Sequence, residues 1–164
     1  RIMVAWMQMW GRNIPSHELG HKWAGAMTLP RQLELIDGKL YQRILPSTET
    51  AMTPVYLNEP IRGFSRFQVE VVEGVHYQLG TTDDFLSFGY NADAEEVYID
   101  RSHLKQAISG EETISTSRRF VSCRAEKLDV VFDCNSIEIF VNDGREVLSA
   151  TYYLTGEKYL TKVS

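Results

Sequence analysis

The chain has 164 residues, which is enough for one domain of ordinary size, or for one domain with a fragment of a neighbour. Its hydrophobic fraction of 43% and charged fraction of 24% are typical of a soluble globular protein and exclude a disordered one. The net charge of -5, without a cluster of Lys and Arg, excludes an extended surface for nucleic acid.

The amino end predicts a short buried strand. Ile2, Val4 and their neighbours through Met9 are nearly all apolar, and Gly11 with the Pro-containing segment 12–16 ends the stretch. Because the chain opens without an initiator Met, directly in this strand, we expect it to be a piece of a longer polypeptide. No apolar run reaches the roughly 20 residues that cross a bilayer, and no signal peptide is present, so no membrane is expected as a partner.

A hairpin and a linker are predicted next. The stretch from Trp23 to Leu35 predicts a strand, a break at Pro30 and a second, alternating strand. Asp37-Gly38 then predicts a tight turn into a strand from Lys39 to Leu45. Three prolines between Pro46 and Pro60, with Ser and Thr among them, make that segment the candidate linker between two packed units.

The rest of the chain predicts one strand after another. Alternation is clearest in Leu128, Val130 and Phe132, and Asn142-Asp143-Gly144 supplies the residues of a hairpin turn. Short antiparallel strands at this spacing predict a β-sandwich, with the strands before the linker belonging to another unit. The predicted strands are Phe64 to Glu73, Val75 to Thr81, Phe85 to Asn91, Glu96 to Arg101, Arg118 to Arg124, Lys127 to Asp133, Ser136 to Val141 and Glu146 to Leu154.

The two cysteines lack metal-ligand spacing. Cys123 and Cys134 lie in strand-like stretches, and we favour two buried thiols over a disulfide or a redox pair. This use of cysteine fits a reducing, cytoplasmic setting.

The segment His17-Glu18-Leu19-Gly20-His21 matches the zinc-protease pattern H-E-x-x-H. Zinc binding by this pattern requires a helix that places both histidines on one face, but the segment follows a loop and precedes a β-like stretch. Ala24 and Met27 occupy the places of the glycine and third histidine of the extended motif. We therefore predict a loop whose histidines do other work, and no metal site.

Other chemistry is sparse. The carboxylate pairs Asp83-Asp84, Glu95-Glu96 and Glu111-Glu112 are adjacent in sequence and flanked by turns, which favours solvated loop charge over an acid-base pair held across a cleft. No G-x-S-x-G elbow activates a serine, and no glycine-rich loop is available for a phosphate. No cofactor is predicted.

Two regions of the sequence resemble glycoside hydrolase family 32, the invertase-like β-fructosidases. Val4 to Trp10 and Asn13 to Leu33 are similar to the end of that family's catalytic propeller. Phe132 to Gly144 resembles its Asp-x-x-Ser-x-Glu-Ile-Phe-x-Asn-Asp-Gly motif, and Val97 to Ser102 resembles its Asp-Arg-Ser strand. Both of these belong to the family's carboxy-terminal sandwich.

The resemblance implies an all-β fold. An antiparallel, concanavalin-like β-sandwich would follow a remnant of the last blade of a five-bladed β-propeller. Residues 1–45 would be the end of the propeller with its connector, residues 46–60 the linker, and residues 61–164 the sandwich.

The resemblance also implies an activity to which this chain contributes no catalytic residue. Family members hydrolyse terminal β-fructofuranosides with retention, using aspartates in Trp-Met-Asn-Asp-Pro-Asn-Gly and Arg-Asp-Pro and a glutamate in Glu-Cys. None of these three motifs occurs in the sequence. Without nucleophile and acid no double displacement can proceed, so the isolated chain is predicted to be inactive.

The resemblance places three tryptophans near the substrate. Trp6, Trp10 and Trp23 either reach the rim of the sugar pocket in the complete enzyme or pack between propeller blades. His17, His21 and Arg31 either face that pocket or fix the loop, and the sequence leaves both alternatives open.

Three roles remain for the sandwich. It stabilises the propeller, with Glu138 and Asp100-Arg101 as strand or interface residues, or it binds carbohydrate, or it is an unrelated interaction domain. The expected partners are the upstream catalytic propeller and a fructoside, with self-association left open. The choice among sucrose, its 6-phosphate, inulin and levan is also left open.

Overall fold

The computed structural model describes residues 1–8, 11–108 and 117–164. Within them the chain forms three β-sheets and two helices of four residues each. The helices are α1 (Pro15–Glu18) and α2 (Pro46–Glu49). In chain order the strands are β1 (Ile2–Met3), β2 (Arg31–Ile36), β3 (Lys39–Ile44), β4 (Thr53–Pro54), β5 (Pro60–Ile61), β6 (Ser65–Glu70), β7 (His76–Gly80), β8 (Phe85–Asn91), β9 (Glu96–Asp100), β10 (Arg118–Ser122), β11 (Lys127–Phe132), β12 (Ser136–Val141), β13 (Glu146–Thr151) and β14 (Lys158–Val163).

Two of the sheets form a sandwich. One has the order β10-β9-β8-β7-β14-β5 and the other the order β13-β12-β11-β6-β4, and every pairing is antiparallel except that of β4 with β6. Alternate residues of facing strands fill the space between them, and Leu79, Phe88, Val130 and Ile139 are completely buried there. The predicted all-β sandwich is therefore confirmed.

Strand β12 is buried on both faces, and all six of its residues are buried. Ile137, Ile139 and Val141 point into the sandwich core, while Phe140 belongs to a second cluster with Val131 and Ile44. Since side chains alternate along a strand, the other face of β12 must be covered by something outside the sandwich.

The amino-terminal sheet provides that cover. It has the order β1-β2-β3, and β2 pairs with β3 around Asp37 and Gly38, whose φ angles of 48° and 77° confirm the predicted turn. Ile44, at the end of β3, is 6% exposed and packs on Phe140. The hairpin thus lies on the outer face of the five-stranded sheet.

The predicted buried strand at the amino end is wrong. Strand β1 has two residues, and Ile2 and Val4 are 63% and 48% exposed, because β1 is an edge strand with an uncovered outer face among the described residues. The predicted strand after Trp23 is also absent. Only an isolated bridge between Trp6 and Met27 forms among the described residues of this segment. No strand forms because Gly25, with a φ of +91°, interrupts the extended backbone.

Within the sandwich most predicted strands are confirmed. Strands β8 and β12 have the predicted bounds, whereas β14 was not predicted, because it buries completely only Leu160 and alternates weakly. Cys123 is half-buried, but Cys134 is exposed in the turn after β11, so its predicted burial is wrong. No helix in the described part of the chain has the length and apolar character needed to cross a membrane.

Candidate functional site

A buried carboxylate lies where the hairpin meets the sandwich. Glu138, in the middle of β12, is 3% exposed and accepts a hydrogen bond from the backbone N–H of Leu29 at 2.6 Å. Its second oxygen forms an ion pair with Arg31, the first residue of β2. Both oxygens of the carboxylate are therefore committed to the amino-terminal segment.

Arg31 is held by four groups that come from both sides of the junction. It is 5% exposed, donates to Gln42 Oε1 at 2.8 Å and to Ser149 Oγ at 2.5 Å, and lies 5.4 Å from the ring centroid of Phe140. Taking a charge out of water is costly unless opposite charge and hydrogen bonds replace the solvent, as they do here. A carboxylate neutralised in this way is a positioning group and has no access to a substrate.

The turn after β12 makes a further contact with the hairpin. The backbone N–H of Gln42 donates to the carbonyl of Gly144 at 2.8 Å. Gly144 has a φ of +84°, and a Cβ built on it would lie 1.9 Å from the Gln42 carbonyl oxygen. The approach of the two backbones therefore requires glycine.

A second polar contact joins the segment near the tryptophans to the sandwich. The side chain of Gln8 donates to the hydroxyl of Tyr153 at 3.2 Å and accepts from the backbone N–H of Ala26 at 2.6 Å. Gln8 and Tyr153 are 9% and 1% exposed, and burial raises the pKa of Tyr153. The loop that contains His21 also contacts the sandwich, because Nδ1 of His21 lies 3.4 Å from Nδ2 of Asn135.

Two of the three predicted sugar-contacting tryptophans, Trp6 and Trp23, lie on neighbouring segments of the chain. Trp6 and Trp23 are 47% and 40% exposed, and the ring of Trp23 lies 5.9 Å from that of His21. The backbone of Gly25, two residues after Trp23, packs closely on Trp6. A Cβ built on Gly25 would lie 3.3 Å from the indole nitrogen of Trp6. Trp10 lies outside the described residues. A role for these rings at a sugar pocket stays a prediction.

The zinc-protease pattern has the local structure of a loop. Helix α1 ends at Glu18, and Gly20 with a φ of +75° separates it from His21, so the two histidines do not share one helical face. Glu18 accepts a hydrogen bond from Asn13 at 3.0 Å. Across the ranges that the structure describes, no three residues of His, Cys, Asp or Glu are grouped as a metal site would require. Arg31 is buried at the junction with Glu138 and not in the loop of His17 and His21.

The adjacent carboxylates differ from one another. Asp83 is exposed beside Lys105, whose hydrogen bond and charge lower the pKa of Asp83. Asp84 is 7% exposed and accepts the backbone N–H of Lys105 at 2.9 Å, so the prediction of solvated charge is wrong for it. Glu96 pairs with Arg118 at 2.8 Å, and Glu111-Glu112 lies outside the described residues.

A charged groove of about 390 Å³ lies beside the junction. Arg66 binds Asp129 through two hydrogen bonds of 2.8 and 2.5 Å and pairs with Glu49 of α2 at 3.1 Å. The bonds and charge of Asp129 raise the pKa of Arg66. These pairs of Arg66 hold α2 on the five-stranded sheet.

Comparison with known proteins gives the family. Residues 50–163 match the domain described as Glycosyl hydrolases family 32 C terminal, and residues 1–44 match the Glycosyl hydrolases family 32 N-terminal domain. The chain belongs to glycoside hydrolase family 32. The third alternative for the sandwich, an unrelated interaction domain, is therefore wrong.

Curated relatives in family 32 are longer than this chain. The sucrose-6-phosphate hydrolase of Bacillus subtilis is 29% identical over 170 residues, which cover 93% of this chain and 33% of that protein. The enzyme of the same name from Zymomonas mobilis is 30% identical over 164 residues, covering 87% and 31%. The raffinose invertase of Escherichia coli is 26% identical. The chain thus spans about a third of the length of the curated relatives it matches.

Solved family 32 structures have the same fold. The β-fructofuranosidase of Bombyx mori superimposes with a TM-score of 0.66 and 17% identity, over 98% of this chain and 36% of that one. The sucrose-6-phosphate hydrolase of Lactobacillus gasseri gives a TM-score of 0.65 and 17% identity, over 97% and 36%. The arrangement of hairpin and sandwich is therefore that of the family.

Proposed function

We propose that this chain is the carboxy-terminal, non-catalytic part of a longer enzyme that hydrolyses terminal β-fructofuranosides. Its role is to anchor the end of the catalytic domain on a β-sandwich. The observation that carries the proposal is the buried ion pair of Arg31 with Glu138, which joins the part of the chain that matches the family's N-terminal domain to the part that matches its C-terminal domain.

The charge distribution of the junction supports anchoring over catalysis. A catalytic carboxylate in a glycosidase faces a second carboxylate across a cleft that admits a sugar. Glu138 instead faces an arginine and a backbone amide in a closed interior. Its neighbours Val131 and Phe140 are apolar and buried, so water is excluded and the pair is fixed in one geometry.

The proposal includes the organisation and setting of the complete protein. Residues 1–45 would end the catalytic propeller, residues 46–60 would connect it, and residues 61–164 would be the sandwich. Trp6, Trp10 and Trp23 would lie at the rim of the sugar pocket, and the upstream propeller would be the partner of the sandwich. The relatives' names support sucrose 6-phosphate as the substrate. The two free cysteines support a reducing, cytoplasmic location.

A chimera tests the proposal. This chain would replace the matching carboxy-terminal third of the Bacillus subtilis sucrose-6-phosphate hydrolase, and release of fructose from sucrose 6-phosphate would be measured. We expect an active chimera, whereas the 164-residue chain alone should release no fructose, because the family's three acidic motifs are absent from it. A chimera that folds but has no activity, or an isolated chain that hydrolyses the sugar, would contradict the proposal.

Carbohydrate binding by the sandwich is the second candidate, and one surface favours it. A groove of about 410 Å³ on the outer face of the six-stranded sheet is lined by uncharged residues. Tyr159 offers a ring, and the amide and hydroxyl groups around it suit the hydroxyls of a neutral sugar. The polar lining residues are Asn58, Gln78, Thr81, Thr82 and Thr161.

Calorimetry decides this candidate. Titration of the chain with fructans should release heat that Tyr159→Ala abolishes, while Tyr41→Ala in β3 should leave it unchanged. The absence of heat at millimolar fructan would reject a binding role for the groove and leave anchoring as the function of the sandwich.

A further inference from the structure

One contact between the sandwich and the tryptophan-bearing segment runs through the side chain of Gln8. Residues 5–8 run antiparallel to residues 25–28, with backbone hydrogen bonds of 2.9 Å from Met7 to Ala26 and 2.8 Å from Thr28 to Ala5. Gln8 ends this pairing, because its side-chain oxygen accepts the N–H of Ala26 at 2.6 Å. The same amide group reaches the Tyr153 hydroxyl at 3.2 Å.

The arrangement fixes the orientation of the Gln8 amide. Its oxygen is occupied by an N–H donor and its nitrogen by a hydroxyl, so reversing the amide would place two donors against each other. Tyr153 itself is 1% exposed and belongs to the sandwich, two residues after the end of β13. The hydrogen bonds from Tyr153 through Gln8 to Ala26 therefore hold the short, irregular pairing in a fixed position relative to the sheet.

The pairing needs such support, because it is weak by itself. It contains one isolated bridge, between Trp6 and Met27, and Met27 is 55% exposed. Gly25, at φ +91°, permits the close approach of its backbone to the Trp6 indole and the Gln8 oxygen. A short pairing of this kind opens locally unless contacts from outside hold it closed.

We propose that Tyr153 is a positioning residue, which fixes through Gln8 the segment that carries Trp6 and Trp23. The sandwich would thus set the geometry of two indole rings as well as stabilise the protein. The relevance of those rings to sugar rests on the proposed function, whereas their positioning by Tyr153 does not.

Hydrogen exchange of backbone amides tests the positioning. Tyr153→Phe removes one hydroxyl and should raise the exchange rate of the Ala26 and Thr28 amides about fivefold, since the segment then opens more often. The amide of Ile139 in β12 should keep its rate. Tyr152→Phe is the matched control, because its hydroxyl donates to the Asp133 carbonyl at 2.9 Å, inside the sandwich and away from Gln8.

Two results would overturn the proposal. One is an unchanged rate at Ala26 in Tyr153→Phe. The other is an equal rise at Ala26 and Ile139, which would show that the hydroxyl stabilises the whole fold. A second readout is the intrinsic fluorescence, which should shift in Tyr153→Phe and not in Tyr152→Phe, because all three tryptophans precede residue 24.

The chimera separates this proposal from the function on which it rests. There Tyr153→Phe should raise KM for sucrose 6-phosphate several-fold and change kcat little, as expected when a binding surface is loosened. Faster exchange at Ala26 with an unchanged KM would confirm the positioning and contradict the placement of the tryptophans at the sugar pocket.

Discussion

Glu138 is the single charged residue of β12, and both of its oxygens are used. At the scale of one residue, its carboxylate and the Arg31 guanidinium are 4% and 6% exposed. Breaking such a pair by removing one partner leaves the other charged and dry, which costs more than the pair itself contributes. The pair therefore acts mainly as a constraint on where the hairpin can dock.

The first prediction concerns this pair. Glu138→Ala should lower the free energy of unfolding by about 3–5 kcal/mol, because Arg31 is left buried without a counter-charge. Urea unfolding followed by circular dichroism measures the change. Glu34→Gln is the control, since Glu34 and Arg43 form a pair in which both side chains are about half exposed, and it should cost less than about 1 kcal/mol.

A double variant separates the two contributions of the pair. Arg31→Met with Glu138→Leu removes both charges and should recover much of the stability lost in Glu138→Ala. If the double variant is as unstable as the single one, the cost comes from lost packing and lost hydrogen bonds, such as that of the Leu29 N–H, and the electrostatic account is wrong.

At the scale of elements, the hairpin and the turn after β12 meet backbone to backbone. Asn142, Asp143 and Gly144 all have positive φ, and Gly144 touches the carbonyl of Gln42. The contact forms only when the hairpin docks on the turn, which lies about 100 residues further along the chain. A change at this contact therefore reports on docking.

The second prediction uses that contact. Gly144→Ala should destabilise the docked hairpin by more than the roughly 1–2 kcal/mol of a left-handed alanine, because its Cβ would also collide with Gln42. Gly38→Ala is matched in φ, at +77°, but has open space around it. Exchange of the Gln42 amide should accelerate strongly in the first variant and little in the second. Equal effects would show that strain alone matters.

The sequence predicted those strands and turns that a local residue pattern defines. Strand β12 was found because apolar residues fill alternate positions, and the hairpin β2–β3 because Asp37-Gly38 forms only a tight turn. The amino-terminal strand was overestimated, because its apolar residues are exposed here and not buried.

The candidate site was less predictable than the fold. Glu138 was recognised as a strand or interface residue, but its partner Arg31 lies 107 residues away, and no local pattern pairs them. Tyr153 was read as part of a strand, and its contact with Gln8 spans 145 residues. Such pairings are decided by the packing of sheets, which a single sequence does not reveal.

At the scale of the whole molecule, buried tyrosines govern the behaviour at high pH. Burial raises the pKa of Tyr77, Tyr98, Tyr152 and Tyr153 above the ordinary value of 10.0. A raised pKa in the fold means that stability is fully present below pH 10.0 and is lost as the unfolded chain ionises above it. Lys158 acts in the opposite sense up to pH 10.5, because burial lowers its pKa.

The third prediction follows from these signs. The melting temperature should fall above pH 10.5, where the contribution of Lys158 is complete and the tyrosines continue to lower the stability. Tyr152→Phe should flatten this fall, since it removes the most deeply buried of the four hydroxyls. A melting temperature that stays constant from pH 10.5 upward would contradict the assignment.

The position of β12 has a consequence for how the protein melts. The two faces of the strand belong to two hydrophobic clusters, the sandwich core and the cluster of Ile44, Val131 and Phe140. Neither cluster can therefore open to water while the other remains intact. Heat should therefore be absorbed in one cooperative peak, with equal calorimetric and van't Hoff enthalpies, although the chain matches two family domains.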